Sequence, residues 1–210
     1  MKPLFADRPR LLLVIIIACS GLGVTLIYNA ELSARTDSRS MDRLFDIVGV
    51  IKVPPAKDPV VINLKDVNGR NVSLSDFNGK IVFLNFWTTW CPTCRVEMPS
   101  MEKLHQTLKN KDFKMVTINL QETASQVTAF FKEFKLTFTA LLDSTGEVGA
   151  SFGIRAIPTT YILDKTGRII GLANGPREWD SKAAIALFEN LMDNDTVAAA
   201  PAAVNRDSFQ

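Results

Sequence analysis

The sequence predicts an α/β domain, a mixed central sheet flanked by helices, tethered by an N-terminal transmembrane helix. Three features carry this reading. Residues 81–87, IVFLNFW, form a near-continuous apolar run of strand length, the pattern of a strand buried on both faces of an α/β sheet. Strand-like and helix-like patterns alternate after it and end in a hairpin and a last helix, which gives a sheet of mixed direction. Residues 11–28, LLLVIIIACSGLGVTLIY, carry no charge; at about 1.5 Å per residue they span roughly 27 Å, close to the hydrocarbon thickness of a bilayer.

Taken in order, residues 1–10 form a short basic segment in which Lys2, Arg8 and Arg10 outweigh Asp7. That bias holds the N-terminus in the cytoplasm and exports the rest. These four side chains account for the whole formal net charge of +2, so the exported part is neutral. Segment 11–28 reads as an uncleaved signal anchor. A cleaved secretory peptide and a lipoprotein signal are the alternatives. Ile16-Ile17-Ala18-Cys19 resembles a lipobox ending at Cys19, although the apolar stretch continues through Tyr28. All three readings put the remaining chain in the periplasm or at the cell exterior, where disulfides form.

Residues 29–57, rich in Ser, Arg and Asp, read as a stalk with a short apolar patch at 44–51, ended by Pro54-Pro55. The domain spans 58–194. Strands are expected over 60–64 and 72–74, joined through the hairpin signal Asn68-Gly69. Asn78-Gly79 turns the chain into the strand over 81–87. A helix begins near Cys91, with Pro92 at its first position, and runs to about residue 110. A strand over 114–120, a helix over 124–134, a strand over 139–142 and a short helix over 147–152 follow. Strands over 159–163 and 168–172 flank the turn Asp164-Lys165-Thr166-Gly167, and a helix over 181–192 closes the domain. Residues 195–210, which include AAAPAAVN, read as a flexible tail.

Composition removes several functions. With 24 basic against 22 acidic residues, there is no electrostatic footprint for nucleic acid. His105 is the only histidine, which disfavours His-rich metal sites and Ser-His-Asp triads. No GxGxxG follows a strand, so use of a nicotinamide cofactor is not expected.

The chemistry concentrates at Trp90-Cys91-Pro92-Thr93-Cys94, where the apolar strand gives way to a helix. A helix N-terminus carries unpaired N–H groups and partial positive charge, which stabilise a thiolate. Two intervening residues let the second sulfur reach back to the first. Cys91 is therefore the expected nucleophile toward a partner disulfide, and Cys94 the thiol that resolves the mixed disulfide. Half of a zinc site is the competing reading, but no second Cys/His pair exists. Haem attachment would need a histidine where Arg95 stands. A purely structural disulfide would close a very small loop and constrain the unfolded chain little. No metal and no organic cofactor is expected; the redox group is the Cys91–Cys94 pair.

The stretch Phe86-Trp87-Thr88-Thr89-Trp90-Cys91-Pro92-Thr93-Cys94, followed by Arg95-Val96-Glu97-Met98-Pro99, resembles the thioredoxin superfamily, in particular its membrane-anchored, extracytoplasmic TlpA-like or ResA-like branch. Phe152-Gly153-Ile154-Arg155-Ala156-Ile157-Pro158-Thr159-Thr160 is a second match. The resemblance implies a thioredoxin-like fold with the branch's extra helix and strand between 121 and 149. It implies that Pro158 follows a cis peptide bond and faces the CxxC motif, and that the Ile157 backbone holds a substrate peptide. Trp90, Pro92 and Thr93 complete the expected substrate-binding set.

Thioredoxins carry a buried aspartate in the strand before the motif, where this chain has Asn85. Asn85 shares a face with Phe83 and Trp87 and reads as a hydrogen-bonded amide that cannot titrate. The expected acid–base group is instead Glu97. Glu97, Met101, Leu104 and Leu108 form an inward stripe on the helix, so the carboxylate should be desolvated and its pKa raised. The competing role is a solvated glutamate that complements the helix dipole. Pro99 matches the family's first-helix geometry, Trp87 reads as core, and His105 reads as a surface residue.

The resemblance implies a membrane-tethered thiol–disulfide oxidoreductase that reduces disulfides in exported proteins. Apocytochrome c before haem attachment is a candidate client, and a membrane thiol the electron donor. A disulfide oxidase or isomerase, or a thiol peroxidase, is the alternative.

Overall fold

The computed structural model describes residues 39–193. The N-terminus 1–10, the anchor 11–28 with Cys19, the first part of the stalk and the tail 195–210 lie outside the described residues. Among the described residues, no helix is long and apolar enough to cross a membrane. A helix covers 39–48 (α1), and the compact unit that carries the motifs begins at Arg43.

The strands are β1 (Ile51–Lys52), β2 (Asn63–Asp66), β3 (Asn71–Ser73), β4 (Ile81–Trp87), β5 (Phe113–Leu120), β6 (Thr139–Asp143), β7 (Thr159–Leu163) and β8 (Ile169–Asn174). They form one sheet in the order β1-β8-β7-β4-β5-β6-β2-β3. The β4–β5 and β5–β6 pairs are parallel, and the remaining pairs antiparallel. The helices are α2 (Pro92–Leu108), α3 (Ala124–Phe134), α4 (Glu147–Ser151) and α5 (Lys182–Asp193), with a 3-10 turn at Leu74–Phe77.

β4 lies between β5 and β7, and all seven of its residues are buried. Its alternation sorts two faces. Val82, Leu84 and Phe86 join Ile62, Leu74, Val116, Ile118, Leu141 and Leu163 in an apolar cluster, where each fully buried aliphatic or aromatic contributes about 1.5–3 kcal/mol. On the other face Phe83 meets the edge of Trp179 at 4.8 Å and packs on Phe188 of α5. Trp87 packs on Phe130 and Phe131 of α3. Along α2 the side chains of Cys94, Glu97, Met98, Met101, Leu104 and Leu108 are buried, which includes the whole inward stripe expected from spacing.

Boundaries differ from the sequence reading in two places: the strand expected over 60–64 lies at Asn63–Asp66, and the stalk ends early. The sequence predicts a stalk that runs to residue 57, but the chain joins the fold earlier. Phe45, Val48 and Val50 are buried, and β1 pairs with β8 through Ile51↔Leu172 and Lys52↔Gly171. Gly171 makes this approach feasible: a Cβ there would sit 3.1 Å from both Phe45 and Val50. The apolar patch at 44–51 is thus a covering element of the sheet. His105 also departs from expectation. It is half-buried, its ring edge-on to Phe138 at 6.1 Å, and this burial lowers its pKa.

Candidate active site

Cys91 is the N-cap of α2, with Pro92 in the first turn. Proline suits that place because its missing N–H would have had no helical partner. Cys91 and Cys94 are joined by a disulfide with a Cα–Cα distance of 5.3 Å. The Cys91 sulfur accepts from the Cys94 backbone N–H at 3.1 Å, and the Thr93 hydroxyl lies 3.4 Å from it. One of the orphan donors of the helix start is therefore already aimed at the sulfur that would carry a thiolate. Both sulfur residues are buried, Cys91 at 3% exposure and Cys94 at 0%, while Trp90 beside them is 70% exposed. Pro92 and Thr93 are also exposed.

The 154–158 loop meets the motif from the opposite side. The Ile157–Pro158 peptide bond is cis, and the Ile157 carbonyl lies 3.8 Å from the Cys91 sulfur. Gly175 N–H donates to the Pro158 carbonyl at 2.8 Å, and the Thr159 hydroxyl donates to the Ala156 carbonyl at 2.8 Å. These bonds fix the loop on the ends of β7 and β8. The fold thus brings Cys91, Cys94, Ile157 and Pro158 together, with Trp90, Pro92 and Thr93 on the rim.

Glu97 lies one turn beyond Cys94 on the same buried face and is 2% exposed. One carboxylate oxygen accepts from Asn85 Nδ2 at 3.0 Å. The other accepts from Trp179 Nε1 at 3.1 Å and from the Arg177 N–H at 3.2 Å. Burial pushes the pKa of Glu97 up to about 7, against the opposing pull of the Trp179, Arg177 and Asn85 hydrogen bonds. Asn85 is itself anchored by donating to Thr160 Oγ1 at 2.9 Å. The amide is therefore the hydrogen-bonded group expected from the sequence, and it also touches the titrating carboxylate.

The sequence profile of the Redoxin family matches residues 51–187. The chain belongs to the Redoxin family. The match bears out the thioredoxin-superfamily resemblance carried by the CxxC and Ile157-Pro158 motifs. The thiol-disulfide oxidoreductase ResA of Bacillus subtilis is 34% identical over 125 residues, which is 60% of this chain and 59% of that protein. The thioredoxin-like protein YneN of the same organism is 42% identical over 86 residues, 40% of this chain and 48% of that protein. The matched region is thus less than two thirds of either curated relative. Among solved structures, StoA of B. subtilis superposes with a TM-score of 0.52 at 33% identity, covering 64% of this chain and 98% of that one. A secreted thiol-disulfide isomerase of Corynebacterium glutamicum superposes with a TM-score of 0.60 at 25% identity, covering 69% and 92%.

Several residues of this Redoxin-family site escaped sequence reasoning. Arg177 and Trp179 reach Glu97 from 80 and 82 positions away, with no local period to mark them; Thr160 ends the second motif, but its bond to Asn85, 75 positions away, was not legible there. Glu122 is another. It is buried and accepts from the Thr89 N–H at 2.7 Å and from Asn119 Nδ2 at 2.6 Å. The only sequence signal was a charged residue at the end of a buried strand.

Proposed function

We propose that this chain is a membrane-tethered thiol–disulfide oxidoreductase of the cell envelope that reduces disulfides in exported proteins. The observation that carries the proposal is the Cys91–Cys94 disulfide at the N-terminus of α2, with the Cys94 N–H on the Cys91 sulfur and the Ile157 carbonyl beside it. The names of the relatives and the uncharged span at 11–28 support the reading.

In the reduced protein, the Cys91 thiolate attacks one sulfur of a client disulfide. The client's other sulfur leaves and takes a proton. Cys94 then loses its proton, attacks the Cys91 sulfur and releases the client as a dithiol, leaving the Cys91–Cys94 disulfide. Glu97 is the proton acceptor for Cys94, since a carboxyl that titrates near 7 exchanges protons readily at neutral pH. The exposed Trp90, Pro92 and Thr93 and the free side of the Ile157 backbone receive the client segment. An external membrane dithiol reduces the pair again, taking over the disulfide. Apocytochrome c is a client to test first. No metal or organic cofactor enters these steps.

Trapping tests the proposal. Cys94→Ala cannot resolve the mixed disulfide, so envelope proteins should accumulate covalently on Cys91 and be released by reductant. Recovery of no linked protein from membranes, with Cys91 confirmed as a free thiol, would reject it.

A further inference from the structure

We infer that Glu122 is a positioning residue for Cys91, acting through Thr89; the inference rests on the exchange reading above. β4 is held on both sides only as far as Phe86, which pairs with Ile118 and Thr159, and on one side as far as Trp87, which pairs with Asn119. From Thr88 onward the sheet no longer fixes the chain, yet Cys91 must be presented between the α2 N-terminus and the 154–158 loop. Glu122 supplies the missing support. It follows Gln121, whose φ of 57° turns the chain sharply after β5, and its residue is only 7% exposed.

One Glu122 oxygen accepts from the Thr89 N–H and from Asn119 Nδ2. The other accepts from the Thr89 hydroxyl at 2.5 Å. The Thr89 carbonyl accepts from Arg95 Nη1 at 3.2 Å. Arg95 is in turn paired with Glu133 at 2.8 Å and lies over the rings of Phe130 and Phe134 at 5.1 and 4.8 Å. All three polar groups of Thr89 are thus bonded to ionisable side chains, and Trp90 alone separates Thr89 from Cys91. A carboxylate suits the task because it accepts several donors at once. The clamp keeps the Cys91 sulfur on the Cys94 N–H, the donor that a thiolate there would use.

The test follows alkylation of reduced Cys91 against pH in the full chain. Without the clamp the thiolate loses its alignment with that donor. Glu122→Ala should raise the midpoint by about one pH unit, because the lost alignment with the Cys94 N–H outweighs the removal of a negative charge from the neighbourhood of the thiolate. Thr89→Val should raise it less, and Thr89→Ser should restore the wild-type midpoint. Unchanged midpoints in Glu122→Ala and Thr89→Val, with only the melting temperature lowered, would overturn the inference. If Glu122→Ala fails to fold, the Thr89 pair decides: a rise in Val that Ser reverses supports the clamp, and no rise overturns it. Alkylation needs no client, so a wild-type chain that alkylates normally but exchanges with no disulfide would strike the exchange reading instead.

Discussion

Val82, Leu84 and Phe86 face one side of the sheet and pack into an apolar cluster, whereas the other side carries Phe83, Asn85 and Trp87, with the Asn85 amide bonded to Glu97. Both faces are dry. On the first face burial acts on a cluster of apolar side chains, with only the Tyr161 hydroxyl at its margin, and contributes mainly stability. On the second, the same exclusion of water acts on Glu97 and lifts its pKa to about 7, while Asn85, Trp179 and the Arg177 N–H limit the rise. The difference shows how one strand serves two purposes: desolvation that stabilises apolar side chains tunes a carboxyl as soon as one is placed within it.

That contrast can be broken most forcefully at Leu84. Leu84→Ala should destabilise the domain by about 2–5 kcal/mol in chemical denaturation, without moving the pH dependence of thiol reactivity. A moved pH profile would mean that the two faces are coupled.

Glu97 gives the next largest effect. Its folded pKa of about 7 lies above the ordinary value of 4.5. The folded state therefore keeps a proton that the unfolded chain releases, and stability falls as pH rises from about 4.5 to about 7. The fall should amount to about 3 kcal/mol and be complete above that window. In Glu97→Gln this fall should vanish, whatever the variant's absolute stability. Denaturation midpoints across pH 4–8 check it, and a fall that persists would assign the proton elsewhere.

Asn85 sharpens the comparison further. Asn85→Ala removes a donor from the carboxylate, so Glu97 should hold its proton to higher pH, by roughly one unit. Carboxyl titration by NMR reads the change, and a downward shift would contradict the account. The smallest effect is at Thr160. Thr160→Val leaves one Asn85 N–H without its acceptor and should cost about 1–2 kcal/mol, with a melting curve as the readout.

The sequence exposed those parts that are local. The apolar run at 81–87, the helix start at Cys91-Pro92 and the stripe from Glu97 to Leu108 are written in consecutive residues, and the structure has each of them. The thioredoxin-like motifs likewise located Ile157 and Pro158. What sequence could not supply were contacts made by closing the sheet. Thr160 meets Asn85 because β7 pairs with β4, and Trp179 reaches Glu97 from the segment before α5. Residues 44–51 looked like part of a stalk because a short apolar patch has no visible partner until β8 is in place beside it. Glu122 carried no motif, since its partners Thr89 and Asn119 come from two different strand ends.

The central claim joins a dithiol at a helix N-terminus to a buried carboxyl that titrates near neutrality. Its most direct test is the rate at which the full chain reduces a model disulfide, measured with excess reductant from pH 5 to 9 for the wild type and for Glu97→Gln. The account predicts turnover that depends on Cys91 and shows an inflection near pH 7 in the wild type but not in the variant. Absence of turnover, or the same inflection in both proteins, would contradict it.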